Sequence, residues 1–219
     1  MAQTSKPLSS PGDSRNTSSP GGRLFIVSAP SGAGKSTLCS AVRRHLRDLA
    51  YSVSYTTRPP RQGERQGVEY HFVTEAEFRQ GIDQGRWAEW ASVHGNYYGT
   101  SARWIEETLI SGRDILLDID LQGARQMVGR FPEAVTIFIM PPSLSELERR
   151  LRQRGSDSLK DIDLRMKNAR EEIAQRSLCR HELINDDIGK ATRDLVDLIE
   201  GYRKGVSCRP LENCSGAAE

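Results

Sequence analysis

Cysteine is scarce and unpatterned: Cys39, Cys179, Cys208 and Cys214 are the whole complement, with no C-x-x-C spacing and no paired histidines. Neither a zinc site nor a disulfide framework is indicated, so the four read as reduced thiols. No apolar run approaches the ~20 residues of a membrane span, and the first residues hold no apolar signal core. The expectation is a soluble, cytoplasmic protein without a membrane partner. An excess of charge of one sign is missing too. The 31 Lys and Arg against 29 Asp and Glu leave a formal +2, interspersed along most of the chain, which gives no reason to expect a nucleic acid partner. The basic residues are mostly arginine, suited to planar, bidentate contact with phosphate and carboxylate. A length of 219 residues leaves no room for two full domains but suffices for one α/β domain with a small insertion. Nothing in the sequence speaks to oligomeric state.

What is present centres on Ala29-Pro30-Ser31-Gly32-Ala33-Gly34-Lys35-Ser36-Thr37, between the apolar run Leu24-Phe25-Ile26-Val27 and a helical pattern. Strand, small-residue loop and helix form the context in which a phosphate-binding loop is credible. Gly32 and Gly34 let backbone N–H groups turn inward around a polyphosphate, and the helix N-terminus adds partial positive charge. Lys35 then reaches the β and γ phosphates of ATP, and the Ser36 hydroxyl ligates magnesium. Ala29 stands where the G-x-x-x-x-G-K-[ST] pattern has glycine; a small side chain on extended backbone meets the need.

Residues 1–22 are rich in Ser, Pro, Gly and Thr and read as a flexible tail, as do 206–219. Arg23 to Ser28 is apolar without alternation, as in a parallel strand buried on both faces. A helix is expected from Ser36 to about Leu49, with Leu38, Val42, Leu46 and Leu49 on one face. Tyr51 to Tyr55 reads as a strand. The loop that follows carries Arg58-Pro59-Pro60-Arg61, in which two prolines stiffen the backbone between two arginines. Strands are expected at Val68 to Val73, Trp87 to Val93 and Tyr97 to Thr100, with a turn at His94-Gly95-Asn96 and a brief helix from Glu75 to Gln80. Short strands between two α/β stretches indicate an inserted β-rich subdomain.

Helix resumes at Ser101, an N-cap, and ends at Gly112. The strand Ile115-Leu116-Leu117-Asp118-Ile119-Asp120 places a carboxylate at the carboxyl edge of a parallel sheet, where a phosphate-loop protein keeps its magnesium and substrate. After a helix from about Leu121 to Val128 and a strand from Ala134 to Met140, a helix beginning near Ser143 carries Arg149-Arg150-Leu151-Arg152-Gln153-Arg154. These arginines occupy two stripes and cannot all meet one ligand, so at least half belong to a solvated face. A polar turn from Gly155 to Ser158 and a helix from Leu159 to Ile173 complete a cation-bearing hairpin suited to a lid. His181 to Asn185 is a last strand, and Ile188 to about Tyr202 a last helix.

Between about Arg23 and Tyr202 the chain resembles the guanylate kinases. The resemblance rests on separated motifs in order: the phosphate loop, Ser54…Thr56-Thr57-Arg58-Pro59-Pro60-Arg61, Gly67-Val68-Glu69-Tyr70, Glu89-Trp90-Ala91, Gly95-Asn96-Tyr97-Tyr98-Gly99, Leu117-Asp118-Ile119-Asp120-Leu121-Gln122-Gly123 and Asn185-Asp186-Asp187. It implies an α/β phosphate-loop kinase in residues 23–205. The parallel-sheet core would take 23–53, 101–151 and 171–205, a monophosphate-binding subdomain 54–100, and a helical lid 152–170. It implies transfer of the γ-phosphoryl of ATP to GMP with Mg²⁺. Position by position it assigns Arg58, Arg61 and Tyr70 to the GMP phosphate and Ser54, Glu89 and Thr100 to guanine. Tyr98 touches the phosphate side, and Asp118 and Asp120 fall where the nucleotides meet, with Asp118 near the metal, directly or through water. Arg154 and Arg165 match lid arginines that act with Lys35 and Arg58 on the phosphates, and Asn185 a residue near adenine. Two other readings stand beside it. A scaffold using the GMP pocket without chemistry would be expected to lack Lys35 or the lid cations. A related kinase with another acceptor is opposed by Ser54, Glu89 and Thr100.

Overall fold

The computed structural model describes residues 21–93, 95–153 and 158–206. Both expected tails, apart from Gly21, Gly22 and Val206, lie outside the described residues, as do His94 of the expected hairpin turn and residues 155–157 of the polar turn.

In chain order β1 (Leu24–Ser28) leads through the glycine loop into α1 (Lys35–His45), followed by β2 (Ala50–Tyr51), β3 (Tyr55–Thr56), β4 (His71–Phe72), α2 (Glu75–Asp83), β5 (Trp87–Val93) and β6 (Asn96–Ser101). Then come α3 (Ala102–Ile110), β7 (Ile115–Asp118), α4 (Leu121–Arg130), β8 (Val135–Met140), α5 (Leu144–Gln153), α6 (Leu159–Ala174), β9 (His181–Ile184) and α7 (Ile188–Arg203). Five strands form one sheet in the order β2-β7-β1-β8-β9, and every pairing in it is parallel. Four form a second sheet, β4-β3-β6-β5, with β5 at its edge.

The parallel sheet is covered on both sides, which is why its strands read as unbroken apolar runs. Phe25 and Val27 point toward α1 and α7, in a core with Leu38, Val42, Leu195 and Ile199. Leu24 and Ile26 point the other way, toward Ile105 of α3 and Met127 of α4. Each such fully buried side chain contributes about 1.5–3 kcal/mol, so these two layers fix the positions of the loops at the strand ends. A smaller cluster, Leu147, Leu151, Ile162, Met166 and Ala169, joins α5 to α6. With less to bury, that pair is the unit expected to open at lower free energy.

Several boundaries differ from the sequence reading. Helix α1 stops at His45, four residues early, and Leu46 and Leu49 are buried from the turn beyond it. The single strand expected over Tyr51 to Tyr55 is two: β2 belongs to the parallel sheet and β3 to the other, so the chain leaves one sheet and enters the next within five residues. The alternation that reads as one strand cannot report a change of partner. Of the strand expected over Val68 to Val73 only β4 forms, because Gly67 to Glu69 turn and Val68 is half exposed. Asp120 is not a strand residue; it is the N-cap of α4, its Oδ1 accepting from the Gly123 N–H at 2.7 Å. Ser101 caps α3 as expected, accepting from Trp104 N–H. The arginine run of α5 is spent locally: Arg149 and Arg150 pair with Glu146, and Arg152 with Glu148.

Candidate active site

The hairpin β5–β6 builds the first half of the site. A register shift between Trp87 and Glu89 inserts an extra residue, and such a bulge re-aims the side chain that follows. Glu89 lies opposite Thr100, and its Oε1 accepts from the Thr100 hydroxyl at 2.5 Å. Only 6% of Glu89 is exposed. Burial pushes its carboxyl up to about 7; the Thr100 hydroxyl opposes this, Asp120 adds to it and Lys35 opposes it. Glu89 lines a cavity of about 410 Å³ with Ser54, Tyr70, Tyr98 and Asp118, whereas Thr100 is buried behind it.

Tyr70 and Tyr98 meet edge to face in the cavity wall, with ring centroids 6.0 Å apart. Arg58 stands one layer back. Its guanidinium lies 5.4 Å from the Tyr70 ring centroid and grips Glu64 through two bonds of 2.9 and 3.0 Å, and Glu64 also accepts from Arg61 N–H. The two arginines expected on the GMP phosphate are therefore organised by an unforeseen carboxylate, and neither lines the cavity as it stands; Arg61 is exposed.

The glycine loop builds the second half, a cavity of about 460 Å³. Gly32 and Gly34 have φ of +95° and +91°, a region costly for any residue with a Cβ. Ala29, Pro30, Ser31, Ser36 and Thr37 line the cavity with these glycines, whereas Ala33 is buried beneath them. Arg165 reaches in from α6, donating to Ser31 Oγ at 3.0 Å. Asn168 and Glu172, three and seven residues beyond Arg165, line the same wall. That i, i+3, i+7 stripe is the sequence signal that marks both residues once Arg165 is placed. Burial pushes the Glu172 carboxyl up to about 7, with Asp120 adding to the rise and Lys35 opposing it. Arg154 lies outside the described residues.

Asn185, matched by the resemblance to a residue near adenine, does not line the loop cavity. It is buried under the loop, its Nδ2 donating to the Ala33 carbonyl at 2.8 Å, while its own carbonyl accepts from Arg150. Strand β9 ends just before it, so the sheet carries a strut for the loop. Asn185→Ala is expected to remove about 1–3 kcal/mol of stability by leaving Ala33 O without its donor. It should also weaken ATP more than GMP in steady-state kinetics; an unchanged melting temperature would show that the strut carries no load.

The two cavities share Lys35, Ser36, Val93 and Asp120. Lys35 Nζ lies 2.6 Å from Asp118 Oδ1 and donates to the Ile119 carbonyl at 2.9 Å, so it is held at the wall between them and not extended along the loop. The Ser28 hydroxyl donates to the same carbonyl, tying the ends of β1 and β7 together.

A guanylate kinase family profile matches residues 21–202. The guanylate kinase of Nitrosospira multiformis is 50% identical over 182 residues, covering 83% of this chain and 87% of that protein. That of Shewanella violacea is 52% identical over 183 residues, covering 83% and 88%. The chain belongs to the guanylate kinase family. A crystal structure of guanylate kinase from Anaplasma phagocytophilum agrees in fold, with a TM-score of 0.69 at 31% identity, over 88% of this chain and 92% of that one. The guanylate kinase motifs quoted from the sequence fall on β1 and its loop, on β3 and the segment between it and β4, on the β5–β6 hairpin, at the end of β7 and just after β9. Glu64, with Asn168 and Glu172, is what those motifs left out.

Proposed function

We propose that the chain transfers the γ-phosphoryl of ATP to GMP, giving ADP and GDP, with GMP, or dGMP as a second substrate, entering the cavity at Glu89. The observation that carries this is the adjacency of two cavities, one walled by a glycine loop and one lined by a buried carboxylate, sharing Lys35, Ser36, Val93 and Asp120. Residues 54–100 then serve as the acceptor subdomain and 152–170 as the lid, on a core of 23–53, 101–151 and 171–205.

Guanine presents N1–H and N2–H₂ on one edge, and Glu89 can accept from both. Adenine has no donor at N1 and would leave a buried carboxylate short of a partner. Sites built on such bonds discriminate by about 10⁴ or more. Ser54 and Thr100 add hydroxyls at the base, while Tyr70, Tyr98, Arg58 and Arg61 take the monophosphate, the two arginines held in register by Glu64. The acceptor oxygen is already ionised near neutral pH, so no general base is required. Transfer reduces to alignment and charge neutralisation. Lys35 exchanges Asp118 for the phosphates, and Arg165 brings a guanidinium from the lid. Closure of that lid excludes water, the competing acceptor.

The donor set fits magnesium: Ser36 offers a hydroxyl and Asp118 a carboxylate, and a hard cation that keeps waters and phosphate oxygens needs little more from protein. Bound there, it would neutralise charge on the transferring phosphoryl. Among the described residues no helix is long and apolar enough to cross a membrane; a cytoplasmic setting suits an enzyme supplied with ATP.

A coupled assay offering GMP, dGMP, AMP, UMP and dTMP with ATP and magnesium tests the reading. Turnover confined to the guanine nucleotides is expected. Preference for AMP would sink the role given to Glu89, and no turnover with any acceptor would favour a binding module.

A further inference from the structure

Helix α4 runs from the junction of the two cavities to the free edge of the second sheet. Three residues spaced by three, Asp120, Gly123 and Gln126, follow one side of it. Asp120 caps the helix and lines both cavities. At Gly123 a Cβ would lie 2.8 Å from Glu89 Oε2, so the second oxygen of that carboxylate is seated against helix backbone. At Gln126 the side-chain amide meets the residue after Glu89 twice: Oε1 accepts from the Trp90 N–H at 3.1 Å, and Nε2 donates to the Trp90 carbonyl at 2.9 Å.

Strand β5 pairs only with β6, so one edge of it is open. In an antiparallel ladder alternate residues turn both backbone groups away from the partner, and Trp90 turns its pair to that open edge. A carboxamide carries one acceptor and one donor group, the set a neighbouring strand would supply. Gln126 thus acts as a one-residue strand that clamps β5 to a helix of the other sheet's layer.

We propose that Gln126 is a positioning residue for guanine recognition, with Gly123 providing the seat for the carboxylate it positions. This rests on Glu89 as the group that reads guanine. Glu89 hangs from an edge strand of the second sheet, while the phosphates it must be aligned with are held by the parallel-sheet core. The clamp at Trp90 fixes the one relative to the other, because α4 begins at Asp120 on the core side. Without it β5 loses these two hydrogen bonds to α4, keeps its β6 ladder and the apolar packing of Ala88 and Trp87, and leaves the carboxylate free to drift from the base edge.

Gln126→Leu, which keeps the bulk and removes both bonds, is expected to raise KM for GMP about tenfold and lower the GMP-over-AMP ratio of kcat/KM by a similar factor. KM for ATP should stay within about twofold, and kcat at saturating GMP within about threefold. Gly123→Ala separates this from a general loss of folding. Alanine is the better helix former, and the atom it displaces is the tip of a side chain, so the melting temperature should hold while KM for GMP rises about tenfold as the carboxylate is pushed off its seat. Wild type and Glu89→Gln are measured alongside. If both show the guanine preference and its loss, while Gln126→Leu shifts only the melting temperature or raises both KM values alike, the clamp is merely structural and the inference fails alone. An unchanged KM for GMP in Gly123→Ala also overturns it. If wild type itself shows no guanine preference, the reading of Glu89 fails and takes the inference with it.

Discussion

Lys35→Ala is expected to lower kcat by about 10³ while the chain stays folded, since removal of one preorganised charge-stabilising donor costs about 10²–10³ and Lys35 carries a full charge. The folded state should survive because Lys35 lines two cavities and packs in no core cluster. A modest drop in melting temperature is still expected: Asp118, only 10% exposed in its side chain, loses the partner 2.6 Å away. Single-turnover rates and circular dichroism on the same sample separate the two effects. Collapse of the fold would make Lys35 a structural cation, and a rate within tenfold of wild type would take it out of the transfer step.

Glu89→Gln should raise KM for GMP by about 10²–10³ and leave ATP nearly unchanged, because one of two acceptors becomes a donor facing donors. Stability should move the opposite way. The folded carboxyl sits at about 7, above its ordinary range. The folded state therefore holds a proton that the unfolded state has released, and stability falls as pH rises toward 7. Above that the full cost of the buried charge is present, on the order of 3 kcal/mol. Glu89→Gln is thus expected to melt higher than wild type at pH 8 and level with it at pH 5. GMP affinity of the wild type should rise with pH up to about 7, since the base edge needs the ionised form. The phosphate titrates nearby, and the flatter profile of Glu89→Gln isolates the share due to the carboxyl. Equal losses for GMP and ATP would contradict the assignment.

The donor half of the site was legible because its chemistry is local: a glycine loop, a lysine and a hydroxyl follow one strand within nine residues. The apolar strands were legible for the same reason, each being buried on both faces. Relations between distant segments were not. That Tyr51 and Tyr55 lie in different sheets depends on partners far along the chain. The 2.8 Å bond from Asn185 to Ala33 O joins residues 152 apart. Lys35 resting on Asp118, and Gln126 serving as a strand for Trp90, are likewise side-chain contacts across the fold that no spacing encodes. Glu64 was within reach: an acid six residues after Arg58 in a proline-stiffened loop is a plain candidate to hold that arginine.

The central claim is that two nucleotides meet across Lys35 and Asp120, with Glu89 choosing the acceptor. A crystal structure of the chain with GMP, magnesium and a non-hydrolysable ATP analogue tests it most directly. The account predicts both Glu89 oxygens within hydrogen-bond distance of guanine N1 and N2, and Lys35 Nζ moved from Asp118 to the β and γ phosphates. Guanine bound away from Glu89, or Lys35 still paired with Asp118 beside a filled donor cavity, would contradict it.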